Sequence, residues 1–184
     1  SLKTSIKTIT YLSDTGCLEI QGASLDSYME YGNWGDIFNM EISNRGIAGD
    51  DTLGMLARID QAWKPNPKKV FIMAGINDID KNIPSSVTIK NINDIALMLN
   101  QRGIEVYVNS VVYSGESQKK RNKYVTEINT KLEELSKHSG FTYINLNDVL
   151  APSGVMLKSY SSDDTHLNSE GYKVWRDKLE PYMH

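Results

Sequence analysis

Apolar positions recur along the chain with two different periods. Short runs rich in β-branched and aliphatic residues, at 18–21, 40–43, 70–74, 106–112 and 142–146, predict strands. Between them, apolar residues return every three or four positions. Leu53, Leu56, Ala57 and Ile59 form one stripe, Ile89, Ile92, Ile95, Ala96 and Leu99 a second, and Val125, Ile128, Leu132 and Leu135 a third. That period puts each set on one face of a helix. A last helix carries Val174, Trp175 and Leu179, with Asn168 or Ser169 as its N-cap. Pro65 and Pro67 close the segment ahead of the third strand, and Gly103 and Gly140 follow two of the stripes, where a helix C-cap favours glycine. The stretch up to Thr15 fits either a short helix or an extra edge strand.

Strands alternating with helices build βαβ units. The expected fold is therefore α/β, a mostly parallel sheet buried on both faces by helices. No repeat, low-complexity tract or linker interrupts residues 1–184, so one domain is expected over the whole length. In such sheets ligands bind at the carboxyl ends of the strands, which directs attention to the residues that follow each run.

Composition narrows the chemistry. The 184 residues include a single cysteine, Cys17, which excludes an intrachain disulfide framework and a cysteine-based zinc site. A formal net charge of -3 argues against a nucleic-acid partner, and no apolar run approaches the ~20 residues of a membrane span. The basic run Lys119, Lys120, Arg121 and Lys123 reads as a solvated helix face. Residues 1–10 lack a signal-peptide core, and both a cytoplasmic location and secretion after removal of a signal peptide stay open. Met73 and Met98 read as core filler, and Tyr113, after the fourth strand, as a pocket candidate.

Three strand ends and one segment near the C-terminus carry reactive residue types. Gly22-Ala23-Ser24-Leu25 follows the first run and places a hydroxyl at a strand-to-helix junction, where it serves as a helix cap or a nucleophile. Gly46 and Gly49 in Asn44-Arg45-Gly46-Ile47-Ala48-Gly49-Asp50-Asp51 permit unusual backbone angles and an exposed N–H. Asn77 in Gly75-Ile76-Asn77-Asp78 offers a side-chain N–H, although both Asn77 and Asp78 also suit a turn. Near the C-terminus, Asp163 precedes His166 by three residues, a spacing that lets a carboxylate reach the imidazole when the loop turns; Asp164 is a second, more poorly spaced orienter. Together these supply an acyl-transfer site. Ser24 attacks, His166 takes its proton, Asp163 orients His166, and the N–H groups of Ser24 and Gly49 with the amide of Asn77 form an oxyanion hole.

In these four blocks the chain resembles the SGNH, or GDSL-type, esterase and lipase superfamily, named for its Ser, Gly, Asn and His, which match Ser24, Gly49, Asn77 and His166. Asn-Arg-Gly-Ile-Ala-Gly-Asp and Gly-Ile-Asn-Asp-Ile look most like the bacterial branch similar to the platelet-activating-factor acetylhydrolase catalytic subunit. The resemblance implies a flavodoxin-like three-layer α/β/α sandwich with a central parallel sheet of about five strands, and hydrolysis of acyl esters with neither metal nor cofactor. One departure stands out. The family usually carries Asp, sometimes Asn, before the serine, where this chain has Ala23; Asp26 and Asp50 are the nearby carboxylates that could compensate. Asp26 also breaks the Gly-x-Ser-x-Gly pattern of α/β-hydrolases. The leading expectation is a serine esterase releasing a small acyl group such as acetyl from a carbohydrate or lipid ester. Its alternatives are a lipase or thioesterase for longer chains and a non-catalytic binding module of the same fold.

Overall fold

In the computed structural model, residues 8–13, 41–47 and 49–184 are described. Five parallel strands form one sheet: β1 (Thr8–Ser13), β2 (Glu41–Asn44), β3 (Lys69–Met73), β4 (Glu105–Asn109) and β5 (Phe141–Ile144), in the order β2-β1-β3-β4-β5. Strand order reverses at β1, so the crevice between the carboxyl ends of β1 and β3 is the topological switch point of the sheet. Register is parallel throughout, with Ser13 beside Met73 and Ile72 beside Val108.

The N-terminal strand corrects one expectation. β1 is neither a helix nor an edge strand but runs between β2 and β3. Its β-branched Thr8, Ile9 and Thr10 suit an interior strand, and Thr10 is fully buried. The run at 18–21, expected to be the first strand, lies outside the described residues, as do Cys17, Ala23, Ser24 and Asp26.

Helices cover both faces. The described ones are α1 (Thr52–Ala57), α2 (Asp60–Trp63), α3 (Ile76–Asp80), α4 (Ser85–Asn100), α5 (Asn122–Ser136), α6 (Asn147–Leu150) and α7 (Ser169–Met183), with short 3-10 turns at Glu116–Arg121 and Lys158–Tyr160. Alternation along β3 decides which helices each face receives. Val70 and Ile72 point into a core with Met55, Ile59, Ile92, Ile95, Leu99, Val125, Ile128 and Leu132, from α1, α4, α5 and the turn after α1. Phe71 and Met73 point the other way, into a core with Leu146, Leu150, Trp175, Leu179 and Met183, from α6, α7 and the turn before α6. Phe71 stacks on Tyr107 of β4 at 4.7 Å between ring centroids. The result is three layers.

Two stripes of the sequence fall where their period predicts: Ile92, Ile95, Ala96 and Leu99 on α4, and Val125, Ile128 and Leu132 on α5, are buried. The stripe beginning at Leu53 holds only in part: Ile59 is buried and Leu56 packs against the core, but Leu53 is 65% exposed and Ala57 is exposed, while Thr52, Met55 and Ala62 are buried in their stead. The cause is polar. Thr52 donates its hydroxyl to Asp78 at 2.5 Å and its N–H to the same carboxylate at 3.1 Å, which fixes the helix's rotation. Met98, expected in the core, is exposed.

Candidate functional site

His166 sits in the loop between Ser161 and Leu167, which an antiparallel bridge between those two residues closes. Asn168 secures the loop's exit: its side chain caps α7 at Gly171 N–H and donates to Ser159 O. Within this turn Asp163 uses its two carboxylate oxygens differently. Oδ1 accepts the backbone N–H of His166 at 2.7 Å and of Thr165 at 2.9 Å, which builds the turn. Oδ2 lies 2.7 Å from His166 Nδ1. A carboxylate accepts only, so Nδ1 carries the proton toward Asp163 and Nε2 is left as the base. Partial burial pulls the Asp163 carboxyl upward, but the His166 N–H, the His166 ring and the Thr165 N–H outweigh it. They hold the carboxyl well below the usual carboxylate range. Asp164, the other orienter considered, faces away. Its φ of 63° directs its carboxylate to Ser117 N–H at 2.9 Å, and its carbonyl accepts from Gly115 N–H at 2.8 Å. A Cβ on Gly115 would collide with the Asp164 carboxylate.

Gly49 and Asn77 come together on the other side of the switch point. Gly49 has φ 78°, and a Cβ there would meet nothing within 4 Å, so its left-handed backbone, not crowding, requires the glycine. Asn77, in the first turn of α3, donates from Nδ2 to Asp50 O at 2.9 Å. Lys81, just after α3, donates to Gly49 O at 3.1 Å and pairs with Asp51 at 2.8 Å. Successive carbonyls of the Gly49 loop are thus gripped from α3. Asp78, one residue after Asn77, is completely buried and also accepts the Thr88 hydroxyl at 3.0 Å, so the anchor beneath Asn77 is rigid. Asp50 is committed to Arg58 Nε at 2.7 Å and to the N–H of Asp51, which describes the employment of one of the two carboxylates considered as stand-ins for the Asp missing at Ala23.

Beside His166, at the carboxyl ends of β3 and β4, lies a cavity of about 50 Å³. Met73, Ala74, Val111, Val112, Leu167 and Tyr172 give it apolar walls, and Ile76, Ser114, Thr165 and His166 complete its lining. Tyr113 is not part of that lining; its hydroxyl turns to Thr126 on α5, at 2.9 Å. Two residues that spacing alone does not single out link the parts: Lys81, and Arg121, whose guanidinium pairs with Asp80 of α3 at 2.7 Å and donates to Thr165 Oγ1 at 3.1 Å. Among the described residues no cluster of three or more metal-binding side chains occurs, and no helix is long and apolar enough to cross a membrane.

The profile of the GDSL-like Lipase/Acylhydrolase family matches residues 19–174. A GDSL-like lipase from Bacteroides thetaiotaomicron superposes with a TM-score of 0.80 at 19% identity, over 96% of this chain and 87% of that one. Axe2, an acetylxylan esterase from Geobacillus stearothermophilus, superposes with a TM-score of 0.76 at 13% identity, over 96% of this chain and 94% of its own. Structures of that enzyme include catalytic variants at a serine, an aspartate and a histidine, the aspartate three positions before the histidine. The uncharacterized protein YuaK of Escherichia coli is 96% identical over 25 residues, so the match spans 14% of this chain and 27% of that protein.

Proposed function

Since the chain belongs to the GDSL-like lipase/acylhydrolase family and is a hydrolase acting as an acylhydrolase, we propose that it is a serine esterase that removes a small acyl group, such as acetyl, from a carbohydrate or lipid ester. Ser24 Oγ attacks the acyl carbon while His166 Nε2 takes its proton. The carbonyl oxygen becomes an oxyanion held by the N–H groups of Ser24 and Gly49 and by the Asn77 amide. As the tetrahedral intermediate collapses, the C–O bond to the alcohol breaks and His166 returns the proton to the leaving oxygen. Water, activated by His166, then releases the acid and restores Ser24.

One observation carries this reading. Asp163 holds the His166 ring at 2.7 Å through one oxygen while its other oxygen fixes the turn, with the ring at the mouth of an apolar cavity. The cavity's apolar walls, Met73, Ala74, Val111, Val112 and Leu167, suit the hydrocarbon part of an acyl group. The spacing of the catalytic aspartate and histidine in the acetylxylan esterase agrees with Asp163 and His166.

Ser24→Ala tests the assignment. Hydrolysis of 4-nitrophenyl acetate is expected to fall at least about a thousandfold with the fold intact, since removing a nucleophile leaves only binding and oxyanion stabilisation. A Ser24→Ala variant as fast as the parent would end the proposal. Rates on nitrophenyl esters are expected to fall from two to eight acyl carbons; a rise would assign a longer-chain substrate. Ala23 favours one other reading, a non-catalytic member of the family, for which a fluorophosphonate probe would leave Ser24 unlabelled.

A further inference from the structure

We propose that Arg121 is a positioning residue for the hydrolysis, fastening the loop that carries the base to the helix that carries the oxyanion donor. The proposal rests on His166 being the base and Asn77 an oxyanion donor. The guanidinium meets Asp80 through two contacts, Nε to Oδ1 at 2.7 Å and Nη2 to Oδ2 at 2.8 Å. Its remaining nitrogen, Nη1, donates to Thr165 Oγ1 at 3.1 Å. Thr165 immediately precedes His166, and Asp80 closes α3, the helix whose first turn holds Asn77. One planar group therefore ties two segments that the chain keeps far apart.

Exposed ion pairs commonly contribute little to stability, but this one differs in kind. The Arg121 side chain is only 20% exposed, and the two-pronged geometry suits a guanidinium and not an ammonium. The neighbouring lysines of the same basic run do what a solvated face does: Lys119 pairs locally with Glu116. The base-bearing loop also needs an outside reference. It closes on itself through the Ser161–Leu167 bridge and leans on the 3-10 turn through Asp164, contacts that reach no residue of α3. Arg121 supplies the step from that 3-10 turn to α3. Loss of the tie is expected to leave the Asp163–His166 contact formed but displaced as a unit.

The test uses Arg121→Gln, Arg121→Lys, Asp80→Asn and the double variant Arg121→Gln/Asp80→Asn, with Lys119→Gln as control. For each single variant at Arg121 or Asp80, kcat on 4-nitrophenyl acetate is expected to fall about ten- to a hundredfold with KM nearly constant, as for a misplaced reacting group. Lysine should not rescue, the double variant should be no slower than the slower single, and Lys119→Gln should match the parent. A proton–nitrogen correlation spectrum of the His166 ring gives a readout independent of turnover. The parent is expected to hold the Nδ1–H tautomer, and the variants to keep that tautomer while the ring signals shift. Parental kcat, multiplicative losses in the double variant, rescue by lysine, or unshifted His166 signals in Arg121→Gln would overturn the proposal. Should the parent lack Ser24-dependent turnover, the serine esterase reading fails, and the ring signals alone still decide whether Arg121 places the loop.

Discussion

Replacing Asp163 by Asn separates the two tasks of one carboxylate. The side chain accepts two backbone N–H groups through Oδ1, at 2.7 and 2.9 Å, and faces His166 Nδ1 through Oδ2 at 2.7 Å. An asparagine can keep its oxygen on the backbone pair, so the turn persists. Its NH₂ group then faces Nδ1, and an amide nitrogen cannot accept the Nδ1 proton's bond. The ring must turn over its tautomer, Nε2 becomes protonated, and the base is lost. The equivalent change in a serine protease lowers kcat by about ten-thousandfold, or about 5.4 kcal/mol of transition-state stabilisation. We expect kcat/KM on 4-nitrophenyl acetate to fall by about a thousand- to ten-thousandfold in Asp163→Asn, with an unchanged far-ultraviolet circular dichroism spectrum. The pH dependence of stability has a definite sign. The native carboxyl is held below its unfolded value, so its contribution to stability is fully present above about pH 4 and is lost as pH falls through the native value. Stability of the asparagine variant should vary less with pH in that acid window. More than a tenth of the parental kcat/KM at neutral pH in Asp163→Asn would refute the role given to the carboxylate.

Asn77→Ala removes an amide that also grips Asp50 O, and should cost about a hundred- to a thousandfold in kcat, measured beside a KM that changes little. Gly49→Ala meets no atom within 4 Å but forces a left-handed alanine, a strain of about 1–2 kcal/mol; a melting point lowered by about 2–8 °C is expected, and an unchanged one would mean the loop relaxes. Asp78→Ala strands the Thr52 N–H and the hydroxyls of Thr52 and Thr88 in a buried site, and a urea midpoint lowered by the equivalent of about 2–4 kcal/mol should follow.

Strands β2 to β5 and the long helices were legible because their signal is local. Ile92, Ile95 and Leu99, or Val125, Ile128 and Leu132, declare a buried face with no knowledge of the rest of the chain. The Asp163–His166 contact was legible for the same reason, since three residues span it. What escaped the sequence depends on distant partners. The face of α1 is set by Asp78, 26 residues from Thr52, so Leu53 turned outward although its apolar character suggested the reverse. Arg121 reads as one more charge in a basic run until Asp80 and Thr165 are placed around it. The interior place of β1 follows from pairing with both β2 and β3, which polar-looking Thr8 and Thr10 do not announce.

The contrast between Asp163–His166 and Arg121 also bears on how activity is lost. The first contact closes over three residues and forms whenever its turn forms; the second joins positions 44 apart and exists only while the 3-10 turn and the base loop remain docked. A sub-global opening that releases α7 and its loop would therefore leave the Asp163–His166 contact formed but no longer registered against α3. Such a molecule has an orienter and a base with no acyl group to serve. On the proposed mechanism, activity is then expected to be lost where that docking fails, while the five-stranded sheet is still folded.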